Sequence, residues 1–196
     1  MAPFELKPIK FKPATKKKYE MIAEGLPRPT SGGFAATMLG KRRAGKTNLL
    51  CNMILNGGYA RAFDLIILIS PTVHLDRTFT SLAKLKNVMC TDDISNEMLS
   101  KILATQKQQF LADPEHSSLL VCLDDCGNSL KAKEARKMVD IFYSTARHWN
   151  CSIFCNIQAV SMLTSLKLSN TDFWCIWDLD GRALKKISAE LNCHLT

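Results

Sequence analysis

Residues 34–55 read Phe-Ala-Ala-Thr-Met-Leu-Gly-Lys-Arg-Arg-Ala-Gly-Lys-Thr-Asn-Leu-Leu-Cys-Asn-Met-Ile-Leu, and the order of features in this stretch decides the fold. Phe34 to Leu39 is a short apolar run, as a buried strand would be. Gly40 to Thr47 fits the phosphate-binding loop pattern G-x-x-x-x-G-K-[ST]. Thr47 to Leu55 has helical character, so the loop stands between strand and helix, as its mechanism requires. There the backbone N–H groups curl around a phosphate and the positive end of the helix dipole faces the same anion. The stretch Gly40, Lys41, Arg42, Arg43, Ala44, Gly45, Lys46, Thr47 and Asn48 is therefore expected to bind a nucleoside triphosphate. Lys46 would reach the β- and γ-phosphates, and the Thr47 hydroxyl would hold Mg²⁺.

Working outward, further apolar runs recur with helical segments between them. Asp64 to Ser70 is closed by Pro71 and reads as a buried parallel strand. Asn87 to Cys90 is a candidate edge strand, and Ser118 to Asp124, Ser152 to Ile157 and Asp172 to Asp178 are the later strands. Helical spacing covers Ile94 to Leu111, Lys131 to His148, Val160 to Leu168 and Arg182 to Leu191. Alternating strands and helices predict an α/β fold, a mainly parallel central sheet covered by helices on both faces. Residues 1–33 carry five prolines and a lysine-rich start and read as a basic arm, with a short helix in Lys17 to Ala23. The nucleotide-binding domain would then occupy 34–196.

At 196 residues with 46% apolar composition, one such domain can bury a sizeable core. The net charge is +8, and residues 1–18 hold six lysines against one glutamate. An arm of this kind is either a solvated tail or a sequence-blind contact with nucleic-acid phosphates. The eight cysteines lie mostly inside apolar runs and include no C-x-x-C pair, which argues against a disulfide framework or a zinc site. No run of 18 apolar residues occurs, and the amino terminus has no signal-peptide core, so an intracellular protein off the membrane is expected.

Ligands of open α/β sheets bind at the carboxyl ends of the strands. There Leu119 to Leu123 runs into Asp124-Asp125, two carboxylates where a Mg²⁺–triphosphate site needs them. Asp124 would bind the metal, mostly through water, and Asp125 would orient or deprotonate the attacking water. Gln158 ends the next strand and either hydrogen-bonds the γ-phosphate or caps a loop. Arg147 is either a cation at a helix end or an arginine finger, a role for which Arg42, Arg43 and Arg182 compete.

The phosphate loop, the Asp124-Asp125 strand end and the stretch Arg147-His148-Trp149-Asn150 through Gln158 together resemble the genome-packaging ATPases of large DNA viruses and virophages, within the FtsK–HerA group of DNA-pumping motors. That resemblance covers residues 34–180. It implies a P-loop NTPase sheet of order 5-1-4-3-2, with the Gln158 strand between the phosphate-loop strand and the Asp124 strand. It also implies Gln158 as sensor and Arg147 as a finger between subunits of a pentameric or hexameric ring. ATP, Mg²⁺, double-stranded DNA and capsid or portal proteins are the implied ligands and partners, at a virus assembly site in the host cytoplasm. A nucleoside or nucleotide kinase is the rival enzyme, although no arginine-rich lid is evident. A nucleotide-binding assembly factor with little turnover is the rival from another class.

Overall fold

The computed structural model describes residues 16–29, 32–127, 133–177 and 179–191. Six strands alternate with helices: α1 (Lys16–Tyr19), β1 (Ala35–Leu39), α2 (Lys46–Leu55), α3 (Tyr59–Ala62), β2 (Leu65–Ile69), β3 (Val88–Thr91), α4 (Asn96–Ala112), β4 (Leu119–Leu123), α5 (Lys133–Ser144), β5 (Cys151–Ile157), α6 (Ser165–Asn170), β6 (Phe173–Ile176) and α7 (Gly181–Leu191). The strands form one sheet in the order β3-β2-β4-β5-β1-β6, and every pairing within it is parallel.

This corrects the expected order 5-1-4-3-2, which counted five strands. Val88–Thr91 pairs outside β2, Ile66 opposite Val88 and Ile69 opposite Thr91, and adds a sixth strand at that edge. It is the edge strand expected at Asn87 to Cys90, which the five-strand order implied by the resemblance left out. The strand that leads to Gln158 does lie between β1 and β4.

Each strand feeds two cores through the alternation of its side chains. Ala35, Leu39, Ile67, Ile69, Leu119, Val121 and Leu123 face one layer, where Leu99 and Ile102 of α4, Val139 and Phe142 of α5 and Ile187 of α7 meet them. Ala36, Met38, Ile66, Leu68, Leu120 and Cys122 face the other, against Leu50, Met53 and Ile54 of α2 and Tyr59 of α3. Phe34, Tyr59, Phe63 and Phe154 form an aromatic cluster in this second layer, with ring centroids 5.3 to 6.4 Å apart. Burying each such side chain contributes roughly 1.5–3 kcal/mol.

The segment before β1 is bound to the second layer. Ile22 is buried, the Tyr59 hydroxyl donates to the Pro27 carbonyl at 2.8 Å, and Lys18 pairs with Asp64. The lysine-rich residues 1–15 lie outside the described residues. Several helices differ from expectation: α1 stops at Tyr19, and the segment expected to run on to His148 ends as α5 at Ser144, followed by a 3-10 turn, Ala146–Trp149. The segment 160–168 splits into a 3-10 turn, Val160–Met162, and α6. In α4, Leu111 is 71% exposed, whereas Gln106 is buried, because its amide Nε2 donates to the carbonyls of Ser117 and Trp149.

Candidate nucleotide site

The loop between β1 and α2 sits at the carboxyl edge of the sheet. Gly40 N–H donates to the Ile157 carbonyl at 3.1 Å, which fastens the loop's entrance to β5. A β-carbon on Gly40 would stand 2.8 Å from Cβ of Trp177, so no larger residue fits without movement. Arg43 and Gly45 take positive φ values, 63° and 93°, to turn the chain into the helix. Gly45 is the N-cap of α2 and offers no side-chain acceptor, so the first amides of the helix are left for an anion. Lys46 folds back over the loop and donates to the carbonyls of Gly40 and Lys41 at 2.6 and 2.8 Å. Burial holds its pKa below the ordinary lysine value, against the pull of Asp124 and Asp125.

Asp124 follows β4, and its N–H donates to the Ile69 carbonyl at 2.9 Å. By strand alternation it shares the face of Cys122, the face on which α2 lies. The Thr47 hydroxyl donates to it, 3.1 and 3.0 Å from its two oxygens, and Asn156 Nδ2 donates to Oδ1. Burial raises the Asp124 pKa; the hydrogen bonds from Asn156 and Thr47 oppose that rise. Asn156 itself is buried, and its Oδ1 has no protein partner.

Asp125 adopts φ 50°, a left-handed conformation uncommon for a residue with a side chain. Gln158 Nε2 donates to its Oδ1, and Gln158 Oε1 accepts from Arg42 Nε at 3.1 Å. A hydrogen-bonded chain thus runs from the phosphate loop through Gln158 to Asp125. These groups line one cleft of about 540 Å³, which also takes in Arg43, Asn48, Thr72, Asp76 and Thr78.

The structure therefore gathers Arg42 to Asn48, Asp124, Asp125 and Gln158 into one place. Arg147 is elsewhere. It is exposed on the 3-10 turn Ala146–Trp149, before the first residue of β5, and its carbonyl accepts from Gly33 N–H at 3.0 Å. The seven residues of β5 put roughly 20 Å between it and the cleft.

The sequence reading missed Asn156, although it shares with Gln158 the i, i+2 periodicity of one strand face. It also missed Thr72, Asp76 and Thr78. These follow β2, whose carboxyl end abuts Asp124, and the rule that ligands bind at strand ends applied to them equally.

The donor set suits a magnesium ion. A hydroxyl, a buried carboxylate and an orphaned amide oxygen are hard oxygen groups, and Mg²⁺ in triphosphate sites needs only one or two protein ligands beside phosphate and water. Among the described residues no cluster of three or more His, Cys, Asp or Glu could hold a metal unaided.

No protein-family model matches the chain, and no curated protein does. The fold is similar to several solved structures. B204, the DNA-packaging ATPase from Sulfolobus turreted icosahedral virus, superposes with a TM-score of 0.62 at 15% identity, over 81% of this chain and 82% of that one. The genome packaging NTPase B204 from Sulfolobus turreted icosahedral virus 2, in complex with ATP-γS, gives 0.60 at 14% identity over 81% and 82%. The cytoplasmic domain of EssC gives 0.62 at 11% identity, over 80% of this chain and 35% of that one. At these identities the likeness is one of fold, a mainly parallel P-loop-like α/β sheet covered by helices.

Proposed function

We propose that this protein is an ATP-driven translocase of double-stranded DNA that packages a viral genome into capsids, within the FtsK–HerA group. The observation that carries the proposal is the position of β5. It lies between β1 and β4 and delivers Asn156 to Asp124 and Gln158 to Asp125, beside the loop that follows β1. The likeness in fold to B204, itself a DNA-packaging ATPase, supports the choice among P-loop enzymes.

In this reading Lys46 exchanges the carbonyls of Gly40 and Lys41 for oxygens of the β- and γ-phosphates, beside the amides that open α2. Thr47 and Asp124 would hold Mg²⁺, which when bound would supply positive charge to offset that developing on the phosphates. Asp125 accepts the proton of the attacking water, and Gln158 holds its carboxylate in place. Catalysis is then mainly positioning and charge stabilisation. Arg147, too far from its own cleft, serves the cleft of a neighbouring subunit in a ring of five or six. Capsid or portal proteins are its partners at the assembly site in the host cytoplasm.

The test is ATP hydrolysis with and without linear duplex DNA, beside Lys46→Ala. The reading requires DNA-stimulated turnover that the variant lacks. A rate indifferent to DNA favours a phosphotransferase instead, and nucleotide binding without turnover favours an assembly factor.

A further inference from the structure

We infer that the outward face of α5 and α7 is a binding surface for the phosphates of duplex DNA, an inference that rests on the translocase reading and names the surface by which the substrate is gripped. Both helices pack on the same layer. α5 buries Ala135, Val139, Phe142 and Tyr143, and α7 buries Ile187 with Ala183 against it. Their opposite sides therefore point away from the sheet together, and α6 lies between them. Lys133 and Lys137 occupy that side of α5 at i, i+4. Arg182, Lys185 and Lys186 occupy it on α7 at i, i+3, i+4, and all five are exposed.

Among the described side chains of the two helices, Glu134 is the one exposed acid. Asp140 is turned inward, 3.6 Å from the buried Lys167 and accepting from Thr164 at 3.0 Å. Like charges three or four residues apart repel and destabilise a helix, so two such groupings side by side favour an anion from outside. α6 presents the uncharged Ser165 and Ser169 between them, hydroxyl groups of the kind that also contact DNA phosphates. Three cations on α7 span about 6 Å of helix axis, close to two phosphate steps of one DNA strand at about 3.4 Å of duplex axis each.

The surface also adjoins the nucleotide loop. α5 and α7 both begin at the carboxyl edge of the sheet, after β4 and β6. Asp180 caps α7, accepting from Arg182 N–H and Ala183 N–H at 3.1 and 2.9 Å. Its carboxyl is held below the usual range by the Ala183 N–H first, with Lys41 of the phosphate loop and Arg182 adding their charges.

The experiment compares two charge-matched variants of the full chain, K185A/K186A on this face and K84A/K86A on the opposite layer, where both lysines are exposed beside Leu82 and Leu85. Duplex affinity is titrated between about 50 and 200 mM salt, with basal ATP hydrolysis measured alongside. K185A/K186A should lose about tenfold or more in affinity and lower the salt slope by about two. K84A/K86A should stay within about threefold of the parent, and both should keep basal hydrolysis. Equal losses in the two variants, or none in K185A/K186A, would overturn the inference while leaving the translocase reading intact. A parent chain that neither binds duplex nor hydrolyses ATP faster with it would overturn both.

Discussion

Thr47 Oγ1 stands 3.1 and 3.0 Å from the two oxygens of Asp124, although one residue opens α2 and the other follows β4, a strand that does not neighbour β1. The contact exists because α2 crosses the sheet face to which Asp124 points. Replacing Asp124 with Asn keeps the packing and removes the charge. Hydrolysis should fall by at least about 100-fold, the scale of losing one main electrostatic group in an active site. Nucleotide binding without Mg²⁺ should change little, and the gain in affinity on adding Mg²⁺ should vanish. Titrations of a fluorescent nucleotide, with and without the metal, separate these effects.

Gln158 holds Asp125 through its amide and is itself held by Arg42. Gln158→Ala should leave nucleotide affinity within about threefold and lower kcat by 10- to 100-fold, since orientation of a general base is a large part of its worth. Steady-state kinetics decide the point. A raised KM with an intact kcat would mean that Gln158 serves ground-state binding.

Asn156→Ala would leave the buried Asp124 without one of its donors. A loss of roughly 1–3 kcal/mol of stability is expected from removing the partner of a buried polar group. Urea denaturation measures it. Unchanged stability would mean that solvent replaces the amide at no cost.

Asp64 lies at the opposite edge of the sheet and ties the amino-terminal segment to the domain. Burial pulls its pKa up, but donation from Lys18 and Ser118 outweighs that and leaves it below the usual carboxylate value. A depressed folded pKa stabilises the fold above the unfolded value and ceases to do so as pH falls through the folded one. Asp64→Asn should therefore cost about 1 kcal/mol at pH 7, discounted for partial exposure. The difference from the parent should shrink below about pH 4. Thermal melts across that range test the sign.

Much of this architecture is legible in the sequence, because local chemistry encodes it. Phe34 to Leu39, Asp64 to Ser70 and Ser118 to Asp124 are apolar runs that can only be buried strands, and the glycine-bounded loop announces its own turn. What escapes depends on contacts distant in sequence. Asn156 reads as a polar interruption of a strand until its amide is seen to donate to the buried Asp124. Asp76 joins the cleft because the turn Arg77–Phe79 packs on α2, a relation that no local pattern carries. Leu111, expected on the apolar face of α4, is exposed because it lies about 120° around the helix from Leu99, whereas Phe110 on the same turn is half-buried.

The central claim is that ATP turnover moves this protein along duplex DNA. Displacement of a third strand from a linear DNA triplex measures that movement directly. The account expects displacement that needs ATP and Mg²⁺ and is abolished in Lys46→Ala. Brisk ATP hydrolysis in the presence of bound duplex, with the third strand left in place, would contradict it.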